Sequence, residues 1–239
     1  LPRGVRYKGR IHEQPAHSLP IIEASVTVRH DGYMQEQLDT KKGRNLALLE
    51  KSLAETPDDP YVHFQLGKQY DIQLQYAEAL PCYQRARELV RNRPTWYHDL
   101  VVRTIECLRH EGRLEEAMIF ASDEMPYWEQ SADFYFVVGC LLLDQMQKHP
   151  EQGESLLPMI EESWLKALAI GERPELAGNV SGRGSFMAAG QLWALFDARK
   201  EAEKAARYKD MQKKLYAQYK EAADAGLVSA AALPEQQPA

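Results

Sequence analysis

The chain has 239 residues, 44% of them hydrophobic, and a formal net charge of -6. That length holds one elongated domain or two small ones with a real core. The acidic balance argues against indiscriminate binding to nucleic acid or anionic membrane, where a basic surplus supplies the attraction. Three cysteines, Cys82, Cys107 and Cys140, are far apart and form no C-x-x-C pair. This usage predicts reduced, intracellular thiols and a cytoplasmic protein. The longest apolar run, Phe134 to Leu143, is well short of the roughly 18 residues that span a bilayer. The opening Leu1-Pro2-Arg3-Gly4 is neither an initiator methionine nor a helix start, so the sequence is expected to begin inside a longer protein.

Residues 1–40 have their own texture. Arg6-Tyr7-Lys8-Gly9-Arg10-Ile11-His12-Glu13 sets an aromatic and a glycine among basic residues. Ala24 to His30 is β-branched and roughly alternating, which predicts a strand, and Asp31-Gly32-Tyr33 predicts a turn after it. A lone strand or hairpin does not stand by itself in water, so this segment must pair with a sheet or fold back on the rest.

Residues 41–223 read as helix. Turn signals at Pro57–Pro60, Asn92–Pro94, Gly112, Pro126, His149–Gly153, Gly171–Pro174 and Gly182–Gly184 separate segments of helical length and period. The clearest unit runs from Pro60 to Pro94. Leu66-Gly67 is followed by Tyr70, Ala79, Tyr83 and Ala86. These offsets resemble the tetratricopeptide repeat, a pair of antiparallel helices. Gly67 and Ala79 let the helices approach, and Tyr70 and Tyr83 are expected to fill the space between one hairpin and the next.

A second unit, Trp96 to Met125, keeps Gly112-Arg113-Leu114-Glu115-Glu116-Ala117 as its turn but has Thr104-Ile105 in place of Leu-Gly. A third has Val138-Gly139 and Leu142, then Trp164 and Ala167, with an enlarged turn expected at Lys148 to Pro158. A fourth uses Leu192, Phe196 and Ala205, with Lys209 where an aromatic normally packs, as suits the polar end of a stack. The aromatics, Trp164 and Trp193 included, are read as core. Residues 224–239 are rich in alanine, proline and glutamine and are expected to form a flexible tail. The expected fold is mainly α: a tetratricopeptide-like, right-handed α-solenoid with a short N-terminal β segment.

One further likeness involves the start of the chain. Tyr7-x-Gly9-Arg10-Ile11-His12-Glu13, Val28-x-His30-x-Gly32-Tyr33 and Lys41-Lys42-x-Arg44-Asn45-x-x-Leu48-Leu49 precede the first repeat. This succession resembles the last part of bacterial family 2 glycosyltransferases of the GT-A type that carry C-terminal tetratricopeptide repeats. The resemblance implies that residues 1–40 end a catalytic domain that transfers a sugar from a nucleotide sugar. It also implies Mn²⁺ or Mg²⁺ on the donor diphosphate. No Asp-x-Asp motif after an apolar strand occurs in the chain, and Asp58-Asp59 sits in a turn between prolines. The chain alone is therefore expected to lack cofactor and activity.

Within that likeness Glu13 is the candidate base for the acceptor, with His12 beside it. His30 is the candidate metal ligand, with His12 as runner-up, and Lys8 and Arg10 would steady phosphate charge. The repeats would bind the acceptor or mediate self-association as a homodimer. The other reading is a free-standing adaptor that holds a partner peptide in the concave groove of its repeats. The Lys and Asn with which some chaperone-binding repeats clamp a terminal carboxylate are replaced here by Phe64 and Lys68. A groove ligand is then expected to be apolar or mixed.

Overall fold

The computed structural model describes residues 6–8, 14–16 and 35–226, with side chains from Arg44 onward. Two short strands, β1 (Arg6–Lys8) and β2 (Gln14–Ala16), pair antiparallel with Tyr7 opposite Pro15. The strand expected at Ala24–His30 lies outside the described residues, as does most of the expected tail, from 227 on.

Nine α-helices follow among the described residues: α1 (Gln35–Glu55), α2 (Pro60–Asp71), α3 (Tyr76–Leu89), α4 (Tyr97–His110), α5 (Leu114–Glu124), α6 (Ala132–Lys148), α7 (Gly153–Ile170), α8 (Phe186–Ala198) and α9 (Ala202–Asp224). Helix therefore begins at Gln35, ahead of the expected Lys41. The intervening Gln-Glu-Gln-Leu are good helix formers with no glycine or proline to stop them. The chain divides into two compact units, one up to Asn92 and one from Arg93.

In the first unit α1 packs on α2, and α2 packs along α3. Asp59 caps α2, its carboxylate accepting from the Tyr61 amide at 2.8 Å, and Pro60 opens the helix where no amide is needed. Gly67 is the point of closest approach. A β-carbon there would stand 2.5 Å from the Tyr83 ring. Tyr83 is 1% exposed and Ala79 and Ala86 are fully buried. Tyr83 thus fills its own hairpin, against Gly67, and its hydroxyl donates to Asp71 at 3.1 Å. Tyr70, expected to pack like Tyr83, is only half-buried.

In the second unit α4 pairs with α5, α6 with α7, and α8 with α9, while α4 packs on α6 and α7 on α8. Gly139 repeats the Gly67 arrangement. Its absent β-carbon leaves room for Trp164, which donates from Nε1 to the Phe136 carbonyl at 3.2 Å. In the α4–α5 hairpin the sizes are exchanged. The buried Ile105 stands at the Gly67 position and the buried Ala121 at the Tyr83 position. In the last hairpin Trp193 and Lys209 hold those two places, with the ammonium 4.6 Å from the ring centroid. Tyr208, one residue earlier, stacks on Phe196.

Three hairpin turns share one backbone device. Leu74, Gly112 and Lys200 have φ of 59°, 69° and 60°. After each, an amide reaches back into the first helix: Gln75 to Tyr70, Arg113 to Leu108 and Glu201 to Phe196. This is the left-handed helix stop that glycine makes most cheaply. Each is followed at the same interval by a buried alanine: Ala79, Ala117 or Ala205. The third hairpin departs from this. Its extra residues, expected as an enlarged turn to Pro158, form a short 3-10 turn (Pro150–Gln152) and the first turns of α7, with Pro158 inside the helix. Pro158 is the sixth residue of α7, past the first turn, so it withholds the amide that would bond the Glu154 carbonyl.

Candidate functional site

The face of α4 turned away from α5 carries Asp99, Val102, Glu106 and Arg109, a spacing that lines them along one side of a helix. Asp133, Phe136, Cys140 and Leu143 occupy the matching positions on α6, at the same offsets from Gly139 as the first set has from Ile105. Since α4 and α6 pack side by side, the two rows form one surface. It is the first-helix surface of two successive hairpins.

That surface is covered by the chain itself. Residues 171–185, between α7 and α8, form a series of turns: the Leu176 amide bonds Arg173, Asn179 bonds Leu176, and Arg183 bonds Val180. The base of the loop is closed. Glu172 accepts from the Gly182 amide at 2.9 Å and from the Ser185 hydroxyl, and a β-carbon on Gly184 would meet the Gly171 backbone at 2.4 Å. Compact loops with touching ends and their own packing are Ω-loops.

The loop is held to α4, to α6 and to the turn before α6 through its backbone and the side chains of Arg183 and Arg173, the latter donating to the Gln130 carbonyl at 3.1 Å. The Asp133 carboxylate accepts from the Val180 amide at 2.9 Å. His98 Nδ1 is 2.8 Å from the Ala177 carbonyl and Nε2 is 2.6 Å from Ser131 Oγ. A carbonyl only accepts, so Nδ1 carries the proton. Ser131 also caps α6, accepting from the Phe134 amide at 3.0 Å. The Trp128 ring fixes the imidazole edge-on at 5.0 Å. Gly178, with φ of 74°, passes so near α4 that a β-carbon would overlap the Asp99 carboxylate.

Arg183 is the anchor. It is 7% exposed. Its Nη2 bonds Glu106 at 2.5 Å, its Nη1 is 3.5 Å from Asp133, and its guanidinium sits 5.6 Å from the Phe136 ring centroid. Its Nε and Nη1 find no hydrogen-bond acceptor among the described residues. Burial raises the Asp133 carboxyl above its ordinary value, against the pull of the Arg183 guanidinium and the Val180 amide. Beside it, burial pushes the Cys140 thiol up to about 11. Arg109 and Asp144 pair at 3.2 Å at the next turn of the surface.

A second concavity, of about 330 Å³, lies between α5, α6 and α7 and is lined by Met118, Met125, Tyr135, Leu142 and Met159. None of the described residues covers it.

The sequence candidates for chemistry fall elsewhere. Arg10, His12, Glu13 and His30 lie outside the described residues, and Lys8 is placed only as backbone in β1. Among the described residues no cluster of His, Cys, Asp and Glu could hold a metal ion, and no helix is long and apolar enough to cross a membrane. Of the expected packing residues, Leu66, Gly67, Ala79, Tyr83, Ala86, Gly139, Trp164 and Ala167 are buried. Sequence reasoning missed Arg183 altogether, because its glycine neighbours read as a turn. The available signal was length: a stretch of about fifteen residues without regular structure between two helices is uncommon unless it has a role.

These hairpins are of the tetratricopeptide kind. No protein-family model matches the chain, and no curated protein does. Among solved structures it is similar to MamA from Desulfovibrio magneticus RS-1, with 14% identity over 77% of this chain and 91% of that one, at a TM-score of 0.59. It is also similar to PilF of Pseudomonas aeruginosa, with 17% identity, 74% and 70% coverage and a TM-score of 0.56. A third is YrrB, described as a TPR protein with an unusual peptide-binding site, with 15% identity, 80% and 86% coverage and a TM-score of 0.53. Identities this low speak for the fold alone.

Proposed function

We propose that the chain is a protein-interaction module whose α4–α6 face binds an irregular segment of a partner protein. The observation that carries this is the seating of residues 177–183. There the face reads a carbonyl through His98, an amide through Asp133 and a side chain through Glu106, the three elements of peptide recognition. That YrrB, of the same fold, has a peptide-binding site agrees with it.

The test is selection of peptides from a displayed library on the purified chain, followed by binding to a Glu106→Gln/Asp133→Asn variant. Selected peptides that lose affinity for the variant are the expected result. Peptides that bind both forms equally would refute the reading.

The glycosyltransferase alternative draws on the motifs of residues 7–33. On it, Glu13 is the base with His12 beside it, His30 the metal ligand, Lys8 and Arg10 the phosphate contacts, and the repeats hold the acceptor or a second copy of the chain. Its assay is product mass after incubation with nucleotide sugars and Mn²⁺, using the chain extended upstream, with Glu13→Gln expected to lower turnover by roughly 10²–10⁴-fold. Unchanged turnover in Glu13→Gln would remove that assignment.

A further inference from the structure

We infer that the α4–α6 face is an arginine-reading site whose present occupant, the Ω-loop 171–185, is displaced by an arginine-bearing segment of a partner protein. The inference rests on the interaction-module reading and names the partner's chemistry.

Charge is the first argument. Without Arg183, the two helices present Asp99, Glu106, Asp133 and Asp144 to this surface, against Arg103 and Arg109. Arg103 is taken by Asp99 at 2.7 Å and Arg109 by Asp144. Glu106 and Asp133 remain, and a guanidinium is the group that lies between them. The Phe136 face beneath it adds the ring that a planar cation prefers.

The resident also fits imperfectly. Among the described residues only Nη2 of Arg183 has a good hydrogen bond, while the buried Nε and Nη1 have none. Closure of the loop base, where Gly184 abuts Gly171 and Glu172 ties Gly182 and Ser185, restricts how Arg183 can approach. An arginine on another chain has no such tether and can engage the acidic pair with more of its donors. The loop wins while it is alone because tethering gives it an effective concentration on the order of millimolar.

The loop's grip is, moreover, separable from the fold of the hairpins. Its ties are Arg183, the Val180 amide, the Ala177 carbonyl, the close pass of Gly178 and Arg173, which donates to the Gln130 carbonyl at 3.1 Å. The helix pairs α4–α5 and α6–α7 are packed by other residues, such as Ile105, Ala121, Gly139 and Trp164.

The probe is a synthetic copy of residues 171–185 closed head to tail, with a fluorescent label. Binding is read by anisotropy on the parent chain and on two variants that loosen the resident independently, Arg183→Ala and Gly178→Ala. Both variants are expected to bind the copy at least about tenfold more tightly than the parent, as loss of a tethered competitor requires. A copy carrying the Arg183→Ala change, with its other arginine, Arg173, kept, is expected not to bind. Failure of both folded variants to gain affinity, or equal binding of the alanine copy, would overturn the inference.

Hydrogen exchange on the parent chain needs no variant. Saturating copy should speed exchange of the chain's own Val180 and Gly182 amides, and unchanged exchange would also overturn it. Library peptides that depend on Glu106 and Asp133 but carry no arginine would sink this inference while leaving the interaction reading intact.

Discussion

Replacing Gly139 by alanine is a sharp test of how the hairpins are packed. A β-carbon at Gly139 would lie 2.4 Å from Trp164 Nε1 and 2.7 Å from Cδ1. Trp164 is 1% exposed, so the ring has nowhere free to go. Forcing bulk into such a core costs about 1–3 kcal/mol. Moving the indole also breaks its bond to the Phe136 carbonyl, and an unmade buried donor costs about 1–3 kcal/mol. Alanine recovers about 1 kcal/mol through its better helix propensity. The net is a loss of about 1–5 kcal/mol. For a unit of this size that lowers the melting temperature by roughly 2–20 °C, measured by circular dichroism at 222 nm. Trp164→Phe in the same chain removes the crowded five-membered ring, so Gly139→Ala should cost less in that background, a coupling that a double-mutant cycle reads directly. A Gly139→Ala chain that melts with the parent, or above it, would refute the close-approach reasoning.

Leu74→Gly should do the opposite. Leu74 is 71% exposed with φ of 59°, so glycine relieves a left-handed strain of about 1–2 kcal/mol and gives back part of it as unfolded-state entropy. A small rise in melting temperature is expected, and a fall would refute it. Tyr83→Ala, which empties the space against Gly67, should cost about 3–5 kcal/mol by urea denaturation. Burial pushes the Cys82 and Cys140 thiols up to about 11. At pH 8 their thiolate fraction is then on the order of 10⁻³, and both should react with a disulfide reagent about a hundredfold more slowly than in urea, where an ordinary thiol pKa applies.

The first hairpin was legible because each of its contacts lies within one repeat. Gly67, Ala79, Tyr83 and Ala86 stand at offsets that helix geometry alone interprets. The α4–α5 hairpin was harder, since exchanging sizes between Ile105 and Ala121 preserves the packing while erasing the motif. Its offset predicts Tyr83 between hairpins, whereas it fills its own, because the offset fixes which face it is on but not which neighbour arrives there. The extra residues before Pro158 read as a turn through Pro150 and Gly153, yet α7 absorbs them. The candidate site was not legible. Arg183 meets Glu106 and Asp133 from far along the chain, and no local pattern announces a contact that only the fold creates. The N-terminal motifs drew attention through residue chemistry, and Glu13, His12, His30 and Arg10 stand outside the described residues.

The most direct test of the α4–α6 face as the interaction site is a nuclear magnetic resonance titration of the isotope-labelled chain with a library-selected peptide. Shifts are expected to concentrate at Asp99, Val102, Glu106, Asp133 and Cys140, with the amides of 177–183 moving as the loop leaves. Shifts gathered instead around Met118, Met125 and Met159, on the uncovered concavity between α5 and α7, with the loop resonances unmoved, would contradict it.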